Sequence, residues 1–117
     1  MKKVLIVDDT AFMRLAIKTL LEKNNFDIVG EAENGLVAIK KYRELRPDMV
    51  IMDIAMPKMD GIEAIKEIRK IDKNANIIMI SATGQEVMVR EAILAGAKTF
   101  IVKPYKEDYV LQTLSRF

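Results

Sequence analysis

Apolar residues gather in five short runs: Lys3–Val7, Phe26–Ala32, Met49–Met52, Asn76–Ile80 and Thr99–Val102. Each is rich in β-branched side chains and lies between turn or breaker residues. Several are continuously apolar instead of alternating, which predicts strands covered on both faces. The stretches between them carry helical spacing. Leu36, Ile39 and Tyr42 recur at every third residue, as do Ile62, Ile65, Ile68 and Ile71, and Val89, Ala92 and Ile93 follow the three–four rule.

The runs begin at residues 3, 26, 49, 76 and 99, in steps of 23, 23, 27 and 23. A mean strand, a mean helix and two short loops together take about 23 residues. The chain therefore reads as five successive βα units. The units share no residue pattern, so the recurrence is architectural and not a sequence repeat. Right-handed crossovers turn such a series into one parallel sheet with helices on both faces, a doubly wound α/β domain spanning residues 1–117. Punctuation agrees: Pro47 stops the second helix, Asp60-Gly61 opens the third with Asp60 as its cap, and Gly96 follows the fourth. The first helix is expected over about residues 11–23, apolar on more than half its surface through Phe12, Leu15, Ile17, Leu20 and Leu21. The last is expected over about residues 106–115. Lys40, Lys41, Arg43, Lys66, Arg69 and Lys70 read as the solvated faces of the second and third helices.

Composition narrows the chemistry. A length of 117 residues suits one domain, half of it hydrophobic and 31% charged, which excludes a disordered chain. The formal charge of +2 gives no electrostatic reason to expect nucleic acid or an acidic membrane as partner. No apolar run approaches the roughly 18 residues of a membrane span, and the first residues are too short an apolar stretch for a signal peptide. A soluble, cytoplasmic monomer is expected. The chain has no Cys and no His. That removes disulfides, thiol catalysis, zinc ribbons, imidazole bases and most transition-metal sites. Covalent chemistry is left to a carboxylate, a hydroxyl or a lysine.

In an open parallel sheet, ligands bind beyond the carboxyl ends of the strands. The first predicted strand ends in Asp8-Asp9, the third in Asp53, the fourth in Ser81 and the fifth in Lys103-Pro104. The second ends near Glu31 and Glu33 with nothing comparable. Three clustered carboxylates repel one another, and a Mg²⁺ ion with the Lys103 ammonium would neutralise them. Mg²⁺ takes oxygen ligands and binds through one or two carboxylates plus phosphate. A carboxylate can itself be the nucleophile of phosphoryl transfer, giving an aspartyl phosphate, with cations and the Ser81 hydroxyl stabilising the transferring oxygens.

Each residue also has a plainer reading. Asp9 or Thr10 could cap the first helix, whereas Asp8, ending a buried strand, has no such role. Asp53 could be a turn residue before Pro57, Lys103 a solvated lysine, and Ser81 or Thr83 a cap of the fourth helix. Phe100, Tyr105, Met56 and Met59 could simply be packing. Rival phosphate chemistries fit worse. There is no Walker loop and no G-x-G-x-x-G turn, and Asp8-Asp9 would repel a flavin phosphate. A phosphatase of haloacid-dehalogenase type carries an acid two residues after its nucleophile, where this chain has Ala55.

Taken in order, Asp8-Asp9, Asp53, Met56-Pro57-Lys58-Met59-Asp60-Gly61, Ser81-Ala82, Ala95-Gly96-Ala97 and Lys103-Pro104 resemble the receiver domain of two-component response regulators, from Lys3 to about Leu114. Asp9-Thr10-Ala11-Phe12-Met13-Arg14 and Phe100-Ile101-Val102-Lys103-Pro104-Tyr105 look most like the family's stand-alone chemotaxis regulators. The resemblance implies a flavodoxin-like fold with strand order 2-1-3-4-5, an order that belongs to the family and not to the sequence pattern. It implies that Asp53 accepts phosphate from a phosphohistidine on a sensor histidine kinase. Asp8, Asp9, Asp53 and the backbone carbonyl of Ala55 would hold Mg²⁺. Lys103 would pair with a phosphate oxygen after a cis Lys103–Pro104 bond, and Ser81 and Phe100 would form a conformational relay. The relay would act on a partner face around Val87, Arg90, Phe100 and Tyr105, read by a downstream target such as the flagellar switch. Many members carry Thr where this chain has Ser81, and Tyr where it has Phe100. Ala55 and Thr83 stand where the family controls water access to the acyl phosphate, so its lifetime does not carry over. Two alternatives stay open: a phosphorelay intermediate or isolated receiver of a larger regulator, and a non-enzymatic interaction module.

Overall fold

The five apolar runs lie side by side in one sheet, described by a computed structural model over residues 1–82 and 84–117. Thr83, read above as a loop or capping residue, lies outside the described residues. The elements alternate throughout: β1 (Lys2–Val7), α1 (Ala11–Glu22), β2 (Phe26–Ala32), α2 (Gly35–Leu45), β3 (Met49–Met52), α3 (Gly61–Ile71), β4 (Ile77–Ser81), α4 (Glu86–Ala95), β5 (Thr99–Val102) and α5 (Glu107–Leu114). Every pairing is parallel, in the order β2-β1-β3-β4-β5. β4 sits one residue later than its apolar run, because Ser81 still pairs with Val102 of β5.

Continuous apolar strands serve two cores, since successive side chains point to opposite faces. Leu5, Val7, Val50, Met52, Ile77 and Met79 face α2, α3 and α4. Val4, Ile6, Met49, Ile51, Ile78 and Ile80 face α1 and α5. β2 and β5 are the edges. β2 carries a register shift opposite Val4 and Leu5, where Val29 is the extra residue, a common device on an edge strand.

The helix boundaries follow local chemistry. Asp60 caps α3, its Oδ1 accepting from Glu63 N at 2.9 Å. Asn34 caps α2 in the same way through Val37 N at 2.9 Å. α2 ends before Pro47 with Arg46 in the left-handed region at φ 45°. Gly96 closes α4 at φ 125°, a conformation that side chains disfavour. On α1 only Ile17, Leu20 and Leu21 are buried, while Phe12 and Leu15 are 74% and 61% exposed, so part of the apolar surface read from its sequence faces outward. One expectation fails. Lys41 and Arg69 are half-buried instead of solvated: their apolar stems lie along the fold, with Lys41 Nζ donating to Glu31 O and Arg69 Nη1 to Ala75 O.

Candidate functional site

The carboxyl ends of β1, β3, β4 and β5 meet at one edge of the sheet. Parallel pairing carries each strand past its neighbour: Asp53 N donates to Val7 O at 3.0 Å, and Lys103 N to Ser81 O at 2.8 Å. The residue following β1 and the residue following β3 are therefore side by side, and carboxylate oxygens of Asp8, Asp9 and Asp53 all lie within 4.8 Å of one another. Asp8 and Asp53 are 2% and 8% exposed, whereas Asp9 is open to solvent.

Lys103 reaches into this cluster across 95 residues of sequence. Its Nζ is 3.0 Å from Asp8 Oδ2 and 3.5 Å from Asp53 Oδ2, with its side chain 15% exposed. Burial acts to lower the pKa of the ammonium. Its hydrogen bond to Asp8 and the charges of Asp53 and Asp8 together outweigh burial, holding the pKa above its ordinary value. The lysine thus stays a cation at any physiological pH. The Lys103–Pro104 peptide is cis.

One cation cannot balance three carboxylates, and what remains is an oxygen-only, negatively charged pocket open on the Asp9 side. That donor set fits a hard divalent cation such as Mg²⁺ and offers nothing to softer metals. Ala55, whose carbonyl the resemblance assigns to the metal, is exposed beside the cluster on the loop after β3. Ser81 ends β4 at 1% exposure and Phe100 is half-buried on β5 against the α3 and α4 side of the core. Val87 and Arg90 are exposed on α4, Arg90 pairing with Glu86 at 3.0 Å. Tyr105 is half-buried and lines a surface groove with Phe100, Val102, Pro104, Lys106 and Tyr109. Tyr109 is a groove residue that the sequence reading passed over.

Two local roles differ from expectation. Asp8 does serve the start of α1: its Oδ1 accepts from Thr10 N at 2.9 Å, an Asx-type turn that Asp and Asn form readily. Thr10 occupies the cap position with no side-chain capping bond, and Asp9 supplies none. At α4 the cap position is Gln85, so Ser81 does not cap it. Gly61 has a role unseen in the sequence, because a Cβ there would meet the Asp53 carbonyl oxygen at 2.2 Å. Arg14 likewise emerged only in three dimensions, its guanidinium donating to the Asp8 carbonyl and pairing with Glu31.

A doubly wound five-stranded parallel sheet with an acidic cluster and a lysine at its carboxyl edge defines a class, the phosphoacceptor receivers. The sequence matches the response regulator receiver domain over residues 4–115, and the chain belongs to that family. It is 59% identical to chemotaxis protein CheY of Bacillus subtilis over 114 residues, covering 97% of this chain and 95% of that protein. With CheY of Thermotoga maritima it shares 57% over 115 residues, 98% of this chain and 96% of that one. Its fold matches a chain in the crystal structure of the CheX–CheY–BeF3–Mg²⁺ complex from Borrelia burgdorferi at a TM-score of 0.95. Identity there is 43%, over 98% of this chain and 87% of that one. The chain is thus a receiver domain closely related to CheY, of the kind that acts as a phosphorylation-activated switch in chemotaxis signalling. No helix among the described residues is long and apolar enough to cross a membrane.

Proposed function

We propose that this chain is the cytoplasmic output switch of a chemotaxis pathway, phosphorylated on Asp53 by a sensor histidine kinase and read by the flagellar switch. The observation that carries the reading is the Lys103 ammonium lying between Asp8 and Asp53 at an edge where three carboxylates converge. An Asp53 carboxylate oxygen attacks the phosphorus of a phosphohistidine. The new O–P bond forms as the P–N bond breaks, and its electron pair returns to the kinase imidazole. The backbone helps aim the nucleophile, since Ile54 N donates to Asp53 Oδ1 at 2.7 Å. Lys103 sits where it can take up charge on a transferred oxygen. Asp8, Asp9 and Asp53, with the Ala55 carbonyl, would hold a Mg²⁺ ion, which supplies charge neutralisation to the phosphoryl oxygens.

Phosphorylation replaces a −1 carboxylate with a group of about −2 and three acceptor oxygens. Those oxygens recruit the Ser81 hydroxyl and draw the loop after β4 toward Asp53. Phe100 rotates into the space vacated, and the face around Val87, Arg90, Phe100 and Tyr105 changes shape for its target. The test is direct. With Mg²⁺ and acetyl phosphate the protein should gain one acid-stable, base-labile phosphoryl group, absent in Asp53→Asn and in Asp9→Ala. Equal labelling of Asp53→Asn would overturn the nucleophile, and full labelling in strong chelator would overturn the metal.

A further inference from the structure

We propose that Arg14 is a positioning residue for the metal-binding acidic pair, fixing the Asp8–Asp9 peptide so that the exposed Asp9 carboxylate faces the other two. The inference rests on the metal reading above and adds a residue to it. Among the described residues, the Asp9 carboxylate has one polar contact, a 3.5 Å bond from the neighbouring Thr10 hydroxyl. A side chain held so lightly is aimed by its backbone.

That backbone is held from two sides. Asp8 N donates to Ala32 O at 3.0 Å, and the Asp8 carbonyl accepts from Arg14 Nη1. The Asp8 carbonyl lies in the same plane as Asp9 N and Cα, so whatever orients that oxygen orients the base of the Asp9 side chain. Arg14 stands at the first turn of α1 with its side chain 17% exposed, and its Nε is 3.1 Å from Glu31 Oε1 on β2. Glu31 is itself anchored, with Lys18 Nζ at 3.8 Å and its carbonyl accepting from Lys41 Nζ. The end of β1, the start of α1 and the edge strand β2 thus meet in one guanidinium. A guanidinium holds two acceptors at once because its donors form a rigid fork, whereas a lysine ammonium is a point charge on a flexible stem.

Electrostatics alone predicts the opposite effect. Arg14 brings a positive charge near a cation site, so if charge were its only influence, removing it would tighten metal binding. Positioning predicts that removal loosens it.

The experiment titrates the full chain with Mn²⁺, an oxygen-preferring probe of the same site, and follows free Mn²⁺ by electron paramagnetic resonance. Arg14→Ala should raise the Mn²⁺ dissociation constant about tenfold, the scale typical of losing a partner that orients a ligand. Arg14→Lys should fall between that variant and wild type. Thermal unfolding in chelator reports whether each variant folds. If Arg14→Ala does not, Glu31→Gln takes its place, keeping the arginine while weakening its anchor, and should loosen Mn²⁺ in the same direction by a smaller factor. Unchanged or tighter binding by whichever variant folds, with Asp9→Asn still abolishing it, overturns the positioning role. Full binding by Asp9→Asn overturns the metal reading underneath instead.

Discussion

Gly61→Ala offers a severe test of how the proposed phosphoacceptor is held. A Cβ at this position would lie 2.2 Å from the Asp53 carbonyl oxygen, 2.9 Å from Ile54 Cα and 3.0 Å from the Asp53 carbonyl carbon. Close carbon–oxygen contacts in proteins fall at about 3.3 Å, so something must move by about 1 Å. All three neighbours are backbone, and none yields easily. Asp53 N is tied to Val7 O at 3.0 Å, and Gly61 N donates to Ile54 O at 2.8 Å. Displacing a reacting group by about 1 Å can slow a reaction about 100-fold. Phosphorylation of the variant by acetyl phosphate, followed by phosphate-affinity gel electrophoresis, should therefore slow by about that factor. Where alanine fits, replacing glycine raises stability by about 0.4–1 kcal/mol. Here the overpacking should lower it by about 1–3 kcal/mol in urea unfolding. A Gly61→Ala protein as stable as wild type and phosphorylated at the same rate would refute the reasoning.

Tyr42 predicts an alkaline limit to stability. Its hydroxyl donates to Asp72 Oδ2 at 3.0 Å; burial first, then that hydrogen bond and the Asp72 charge, push its pKa up to about 12. A raised folded pKa means a contribution complete below the unfolded value of about 10 and lost as pH climbs from there to about 12. A shift of two units bounds that contribution at about 3 kcal/mol. Tyr42→Phe should lose about 1 kcal/mol at neutral pH and show a shallower alkaline decline, and parallel curves for the two proteins would contradict the assignment. For the relay, Ser81→Ala should keep Asp53 labelling yet blunt the amide shifts that beryllofluoride induces in α4 and β5. Phe100→Ala should blunt them further, and a full response in Phe100→Ala would mean that the signal leaves by another route.

How far the fold could be read in advance depended on the kind of information each feature carries. Strands covered on both faces announce themselves as unbroken apolar runs, as β3 does with all four residues buried; the partly buried edges β2 and β5 also fall where expected, bounded by turn and breaker residues. Their lateral order is a long-range property with no periodicity, and only the family resemblance supplied it. The convergence of Asp8, Asp53 and Lys103 was legible despite separations of 50 and 95 residues, because parallel strands all deliver their ends to one edge. Bonds between side chains and backbone leave no such trace. The Asp8–Thr10 turn, the Arg14–Asp8 link and the close approach at Gly61 depend on distances that composition and spacing do not encode.

The helices are not anchored equally. α2 and α3 set four and five buried residues into the core, while α4 sets one, Ala92, and turns Val87, Ile93 and Leu94 outward. Buried apolar groups contribute about 0.8 kcal/mol per methylene, so Ala92, with the half-buried Met88 and Ala95 beside it, tethers α4 more weakly than the buried isoleucines of α3 hold theirs. Such an element opens locally at a free energy well below that of global unfolding. On the proposed relay, weak attachment would let a modest stimulus at the sheet edge redistribute the helix between two arrangements, because only a small gap has to be overcome. It also places a ceiling on engineering. Tightening the attachment of α4 should raise thermal resistance and, on the proposed relay, cost the protein part of its response to phosphorylation.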